Sequence, residues 1–347
     1  MLKRKIWFVI SILMVFSILL AACGPGEETG PVAEADLPTE LKIGIGVLYL
    51  EEAWTTSLLQ SLESVMAENP HNLTITYDVV EDVQFADARR VFDQMASTGE
   101  YDIIWAHSAF YESVGELMNE YPDIAWAVAG AGNEAYGGNM WYMDMTGYES
   151  SYLIGVLAGL LTETANIGTV AEYPFPLMNT LNNAYRAGAQ SVNPDIRVQF
   201  TYIESWYDPP KAIESALAQI ANGADFMFSQ PIGPIEACIE RNVWCAGNYV
   251  DQSDLGPSVV LTNNMIYWTP HWEILIDAWW DYAANGVAYD APTEVVLFGL
   301  AGGGCDISEI NDMGGAIPAE VIDQVMSVRQ QIIDGEVVVE YNPELPQ

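Results

Sequence analysis

A fixed offset of 124 residues relates two halves of this chain. Three pairs of landmarks share the offset, and both members of a pair hold the same place in their half: first strand, end of first helix, turn before the third strand. The pairs are Gly44 and Gly168, Asn69-Pro70 and Asn193-Pro194, and Gly99 and Gly223. Three matches at one offset and in the same order indicate two similar lobes with a cleft between them.

Strands and helices alternate within each half. Residues 41–47 form an apolar run typical of a buried strand, and residues 54–68 have the apolar spacing of a helix. Pro70 follows this helix, because proline cannot continue one. Repeated strand–helix–strand order predicts the α/β class, with parallel sheets flanked by helices. Ligands bind such sheets outside the carboxyl ends of the strands, so the loops after the strands are the places to search.

The amino terminus has the pattern of an export signal. Lys3-Arg4-Lys5 precedes an apolar run over residues 6–20, which closes on Leu20-Ala21-Ala22-Cys23. A membrane-spanning helix is the alternative, but the run is at the lower edge of the ~17–25 residues that a span needs. Leu-Ala-Ala-Cys resembles the bacterial lipobox. We therefore expect a signal peptide over 1–22, lipidation of Cys23, a flexible tether over 23–40, and an extracytoplasmic protein anchored by lipid to the cell membrane.

The charge of the chain is strongly negative. Eleven lysines and arginines face 48 aspartates and glutamates, a net charge of −37, and loss of the three basic leader residues lowers it to −40. Such a surface excludes nucleic acid as a partner, because nucleic-acid affinity depends on basic contacts to phosphate. Two explanations of the acidity stay open: adaptation to a saline habitat, and simple solubility.

Motifs for catalysis and for metal binding are missing from the sequence. It contains no GxSxG, no P-loop and no GxGxxG after a strand. The three histidines, at positions 71, 107 and 271, lack metal-ligand spacing. Cys238 and Cys245 are either a disulfide or two buried thiols. We expect a protein that is not an enzyme and that holds no cofactor or metal.

The loops that follow the predicted strands are rich in aromatic and amide side chains. Flat aromatic rings with a few polar groups suit a planar or ring-shaped ligand, which they hold by stacking and orient by hydrogen bonds. The alternative is that most aromatic residues pack the core. The predicted stacking residues are Trp54, Phe110, Phe175, Trp206 and Trp268. The predicted hydrogen-bonding residues are Asn179, Asp251 and Asn263.

Several segments together resemble the basic membrane protein family of ABC-transporter substrate-binding lipoproteins, which includes the purine nucleoside receptor. They are residues 148–159, residues 182–189, Ser205-Trp206-Tyr207-Asp208-Pro209, Gly223-Ala224-Asp225 and Asp251-Gln252, within a resemblance covering roughly 41–340. The resemblance implies a type I periplasmic-binding fold: two similar doubly wound parallel-sheet lobes joined by three crossovers.

The resemblance also implies the boundaries of the two lobes. We expect crossovers near residues 143–148, 262–265 and 296–300. The N-terminal lobe is then 41–145 plus 266–297, and the C-terminal lobe is 146–265 plus 298–340.

The resemblance implies a function and a partner. Members of the family capture a small ligand by hinge closure of the lobes and deliver it to an ABC permease in the membrane. Nucleoside-binding members carry an Asp for the ribose hydroxyls where this chain has Tyr249, and the basic residue beside the sugar is missing after Leu261-Thr262. We therefore expect a monomer that binds a purine base or nucleoside-like heterocycle. A sugar-binding transport receptor and a ligand-sensing receptor on the same fold are the alternatives.

Overall fold

The computed structural model describes residues 37–347. The predicted signal segment 1–22, the lipidation site Cys23 and most of the tether 23–40 lie outside the described residues. The predicted pattern of alternating strands and helices is present from Glu40 onward. No helix within the described range has both the length and the apolar character needed to cross a membrane.

The first sheet has six parallel strands in the order β11-β5-β4-β3-β1-β2. Its strands are β1 (Glu40–Val47), β2 (Thr74–Val80), β3 (Ile103–His107), β4 (Ala125–Ala129), β5 (Met140–Met145) and β11 (Val296–Phe298). The helices on this sheet are α1 (Ala53–Glu68), α2 (Ala88–Ser97), α3 (Tyr111–Leu117) and α8 (Thr269–Asn285), with a short 3-10 turn at Pro70–Asn72. We call this sheet and its helices the N-terminal lobe.

The second sheet also has six strands, in the order β12-β10-β9-β8-β6-β7, and only β12 runs antiparallel to its neighbour. Its strands are β6 (Asn166–Ala171), β7 (Arg197–Tyr202), β8 (Phe226–Ser229), β9 (Trp244–Tyr249), β10 (Val260–Ile266) and β12 (Cys305–Ile307). The helices are α4 (Tyr148–Leu161), α5 (Pro176–Val192), α6 (Pro209–Ala221), α7 (Pro234–Arg241) and α9 (Ala319–Ile333), with a 3-10 turn at Ser253–Leu255. We call this set the C-terminal lobe.

The chain passes between the two sheets three times. It leaves the first sheet after β5, returns after β10, and crosses again between β11 and β12. The first passage lies between Met145 and Tyr148, within the predicted 143–148, and the third lies between Phe298 and Cys305, partly beyond the predicted 296–300. The second lies after Ile266, just beyond the predicted 262–265, because β10 extends through that segment as a strand of the second sheet.

The offset of 124 residues has a direct structural counterpart. The order β1-α1-β2-α2-β3 in the first lobe recurs as β6-α5-β7-α6-β8 in the second. Gly99 and Gly223 both have positive φ, at 68° and 96°, in the turn that leads to the third strand of each series. Glycine adopts this backbone conformation without steric cost, which explains why the same residue occurs at both turns.

Candidate functional site

The carboxyl ends of the central strands of both lobes carry the side chains that meet between the lobes. Trp54 lies at the start of α1, just after β1, and Tyr249 is the last residue of β9. Their ring centroids are 5.4 Å apart in an edge-on arrangement. Because these residues belong to different lobes, this contact marks the cleft.

Trp54 rests on neighbouring rings of the N-terminal lobe. Its ring stacks on His107 at 5.1 Å and 16°, and meets Trp268 edge-on at 5.0 Å. His107 accepts at Nδ1 from the indole Nε1 of Trp105 and faces the Trp54 carbonyl with Nε2, both at 3.2 Å. Burial lowers the pKa of His107 to about 3, so the ring is neutral. Trp54 is therefore held by an uncharged aromatic support.

Trp268, a predicted stacking residue, is part of that support. Its side chain is 0% exposed, its indole Nε1 donates to Ser57 Oγ at 3.1 Å, and its backbone N–H donates to Ser61 Oγ at 2.9 Å. Both serines are on α1, so these bonds fix the helix that presents Trp54. We assign Trp268 a packing role beneath Trp54 in place of the predicted contact with the ligand.

Phe110, another predicted stacking residue, lies in the core of the N-terminal lobe. It is 2% exposed, and its ring packs against Phe92 at 5.3 Å and Phe85 at 5.2 Å. The loop after β3 turns directly into α3, which directs this side chain inward. Phe110 therefore has no free face for a ligand.

Phe175 and Trp206 form an aromatic platform on the C-terminal lobe. Their rings stack at 5.7 Å and 17°, and Tyr173 packs against both. Phe175 is 51% exposed. The platform lies on the loops after β6 and β7, as predicted, but no contact joins it to Trp54 in the described structure. Its role in ligand binding stays a prediction.

The three predicted hydrogen-bonding residues bond mainly to the protein itself. Asn179 accepts from the Tyr202 hydroxyl at 2.6 Å and donates to the Pro343 carbonyl at 2.9 Å. The buried Asn263 donates to Asp251 at 2.9 Å, which closes the turn after β9. Their polar atoms are engaged within the fold, so these residues shape the loops around the cleft.

Among the nine buried polar side-chain atoms of the described chain that lack a partner, four lie at the carboxyl ends of strands in the C-terminal lobe. These atoms are Glu172 Oε2, Gln230 Oε1, Asn248 Nδ2 and the Tyr249 hydroxyl. The last two are neighbours: burial raises the pKa of Tyr249, and the interaction with Asn248 lowers this pKa in part. All four residues follow or end β6, β8 and β9, where ligands of such sheets bind. An unpaired polar atom in the interior costs about 1–3 kcal/mol, so four together indicate a place where a ligand completes the hydrogen bonds.

These four residues are not among the site residues predicted from the sequence, although a signal was available. Each lies within two residues of the carboxyl end of a strand. Tyr249 also has a φ of 68°, a left-handed conformation that is rare for a bulky residue and is found mainly at functional sites. The predicted site residues lie mainly in the longer loops, whereas these polar residues lie beside the strands.

Buried carboxyl groups come from both lobes here. Burial, with a smaller contribution from the charge of Glu52, raises the pKa of Glu172, after β6, to about 8. Burial also raises the pKa of Glu52, after β1, to about 7. Asp144, at the end of β5, is buried as well, and its pKa rises to about 6. The cleft is thus lined by carboxyl groups that have lost water without gaining a counter-charge.

The raised pKa of Glu172 predicts a pH dependence of stability. The folded state keeps a proton on this carboxyl up to about pH 8, whereas the unfolded chain loses it near the ordinary value of 4.5. The resulting stabilisation is fully present below pH 4.5 and is lost as the pH rises through 8. At ~1.4 kcal/mol per pKa unit, we expect Glu172→Gln to retain a few kcal/mol of unfolding free energy at pH 9 that the wild type loses.

Urea denaturation of both proteins at intervals from pH 5 to 9 measures this difference. Glu51→Gln is the matched control, because Glu51 is exposed and lies on the same loop as Glu52. Parallel curves for the wild type and Glu172→Gln would show that Glu172 ionises normally in the folded protein.

Comparison with known proteins agrees with this architecture. The chain is 29% identical over 268 residues to a putative ABC transporter glucose-binding protein of Haloferax volcanii, covering 75% of this chain but only 64% of the Haloferax protein. It is 25% identical over 252 residues to a purine-binding protein of Brucella abortus, covering 70% and 71% of the two chains.

Among solved structures, an ABC transporter solute-binding protein from Conexibacter woesei superposes with a TM-score of 0.69 at 18% identity, over 87% of this chain and 99% of that one. This likeness confirms the predicted fold class of two doubly wound lobes. A family model described as the PnrA-like ABC transporter substrate-binding protein, Bmp, matches residues 50–343. The chain belongs to the Bmp family of ABC transporter substrate-binding proteins.

Proposed function

We propose that this protein captures a small planar heterocycle, of the purine-base type, in the cleft between its lobes and delivers it to an ABC permease. The observation that carries the proposal is the contact of Trp54 with Tyr249 across the cleft, next to buried polar atoms that lack partners. An aromatic face holds a flat ring, and donors and acceptors at fixed places read its edge.

The unpaired atoms suit the edge of a heterocycle. Asn248 and Tyr249 offer donors, while Gln230 offers an acceptor. Glu172 Oε2 has no partner, so this carboxyl can accept a hydrogen bond from a ring N–H of the ligand. Ring nitrogens and exocyclic groups of a nucleobase present the complementary alternation. The purine-binding relative from Brucella supports this ligand class.

A sugar is the second candidate, because the Haloferax relative is described as a putative glucose-binding protein. Tryptophan faces also stack on sugar rings, and carboxylates accept hydrogen bonds from hydroxyl groups. We favour the heterocycle because two aromatic rings, Trp54 and Tyr249, meet across the cleft and the Brucella relative is described as a purine-binding protein.

The proposal includes the location of the protein. Cys23 carries a lipid that keeps the protein at the outer face of the cell membrane, close to its permease. Cys23→Ser should move the protein from the membrane fraction to the soluble fraction. Persistence in the membrane fraction would show that another segment anchors it.

A thermal-shift screen tests the ligand class. Purine bases, nucleosides, pyrimidines and sugars are compared at equal concentration with the purified protein. A ligand at 100 times its Kd adds ~2.7 kcal/mol to stability, which is a clear shift. We expect shifts with heterocycles and none with sugars. Shifts with sugars alone would replace the proposed ligand class with the second candidate.

A further inference from the structure

The charged side chains described at the cleft are carboxyl groups. Glu52 and Asp144 come from the N-terminal lobe and Glu172 from the C-terminal lobe. Among residues 37–347, the charged group that raises the pKa of Glu172 is another carboxyl, Glu52. The charges of all three carboxyls raise the pKa of Tyr249, and no basic residue of the described chain acts on this pKa. The ring of His107 beneath Trp54 is neutral and supplies no positive charge.

Three basic residues of the described chain pair with carboxylates away from Glu172. Lys42 lies near the amino end of β1 and bonds to Asp78 and Glu100. Arg89 pairs with Glu116 and Glu120 on the outer helices, and Arg329 pairs with Asp306. Burying an unpaired carboxylate costs free energy. Such a group is therefore either protonated or paired with a positive charge.

Two further observations point to a ligand as that partner. Glu172 is only 8% exposed, yet its Oε2 has no hydrogen-bond donor in the structure. The ring of Trp54 meets the ring of Tyr249 edge-on across the cleft, and Tyr249 lies near Glu172. Aromatic rings next to carboxylates attract cations through the electron-rich ring face as well as through charge. Because aromatic rings line the same place, an organic cation fits better than a metal ion.

We propose that the ligand of this cleft is a flat organic cation, a nitrogen heterocycle whose positive charge lies between Glu52 and Glu172 while its ring contacts Trp54. This inference rests on the proposed capture of a heterocycle and specifies its charge. The cation takes the place of the protons that burial favours on the two carboxyls.

Proton release follows from this exchange and gives the inference a signature. Burial keeps Glu52 and Glu172 protonated near pH 7, with pKa values of about 7 and 8. A bound cation stabilises their ionised forms, so binding expels protons. Affinity for a permanent cation should therefore rise as the pH increases from 6 to 9. Affinity for a neutral heterocycle should stay level or fall, because ionised carboxyls offer it no donor.

Matched probes test the charge. Each probe set consists of a neutral heterocycle and its N-methylated cation, for example nicotinamide with 1-methylnicotinamide, quinoline with N-methylquinolinium, and purines with their N-methylated purinium salts. Titration calorimetry of the purified protein is run with each compound at pH 6, 7.5 and 9. We expect at least one cation to bind tenfold or more tightly than its neutral parent, with affinity increasing with pH.

Variants locate the effect. Glu172→Gln and Glu52→Gln should each weaken the binding of that cation about tenfold and flatten its pH dependence, while Glu51→Gln should leave both unchanged. Two independent glutamine variants protect the test against a folding defect in one of them, which circular dichroism would reveal.

The outcomes separate the two levels of the proposal. Tighter binding of the neutral parent in every set would overturn the inference on charge and leave capture of a heterocycle standing. Absence of binding by any heterocycle, charged or neutral, would overturn both. A response to Ca²⁺ or Mg²⁺ alone would replace the organic cation with a metal ion.

Discussion

Trp54→Ala should weaken ligand binding about 100-fold and lower the unfolding free energy by about 2–3 kcal/mol. The indole contacts His107 and Trp268 within its own lobe and Tyr249 across the cleft. Each aromatic pair contributes about 0.5–1.5 kcal/mol beyond the burial of its area, and the alanine leaves a cavity. The expected loss in affinity exceeds that of an ordinary contact because the ring touches both lobes and, in the proposed complex, the ligand as well.

Trp280→Ala provides the matched control. Trp280 is partly buried on α8 and stacks on His71 at 4.5 Å, so the variant also removes one stacked indole. Its ring contacts lie on the N-terminal lobe, outside the cleft. We expect a comparable loss of stability with unchanged affinity in calorimetric titrations. Equal affinities for the two variants would remove Trp54 from the site.

Gly188→Ala should cost about 2–3 kcal/mol of unfolding free energy. Helices α4 and α5 of the C-terminal lobe cross at two glycines that face the backbone of the partner helix. A Cβ on Gly188 would lie 2.0 Å from the Tyr152 carbonyl oxygen, and one on Gly155 would lie 2.0 Å from the Tyr185 carbonyl oxygen. Backbone atoms cannot rotate away, so the helices must separate and lose packing, a cost typical of overpacked cores.

Gly115→Ala tests whether this cost is steric. Gly115 is also inside a helix, α3, but a Cβ there would meet only the Tyr136 side chain, which is 45% exposed and free to move. Alanine also favours the helix by about 1 kcal/mol over glycine. Urea denaturation should show a neutral or stabilising change for Gly115→Ala and a large loss for Gly188→Ala. A loss of less than 1 kcal/mol at Gly188 would mean that the two helices adjust without penalty.

Much of the fold follows from local sequence signals. The recurrence of Gly99 as Gly223 marks turns that only a positive φ permits, and Pro70 marks the end of α1. These constraints act within a few residues and survive in any tertiary setting. The two-lobed architecture could therefore be predicted from the repeat. The second crossover lies beyond the predicted residues 262–265, because β10 continues through them as a strand of the second sheet.

The binding residues depend on packing that local patterns do not reveal. Phe110 and Trp54 both follow a strand of the N-terminal lobe, yet one turns into the core and the other faces Tyr249. The sequence predicts that Asn263 bonds to the ligand, but its amide donates to Asp251 and closes a turn. Glu172 is one of 48 acidic residues in the sequence. Its burial and its unpaired oxygen, which only the structure reveals, distinguish it from the others.

The central claim is that the ligand binds between the lobes, on Trp54 and beside Glu172. A crystal structure with the tightest ligand of the screen tests it most directly. We predict a ring in van der Waals contact with Trp54, and a ligand nitrogen within hydrogen-bond distance of Glu172 Oε2. A ligand seated on the exposed Phe175–Trp206 platform, with Glu172 Oε2 still unpaired, would contradict the account.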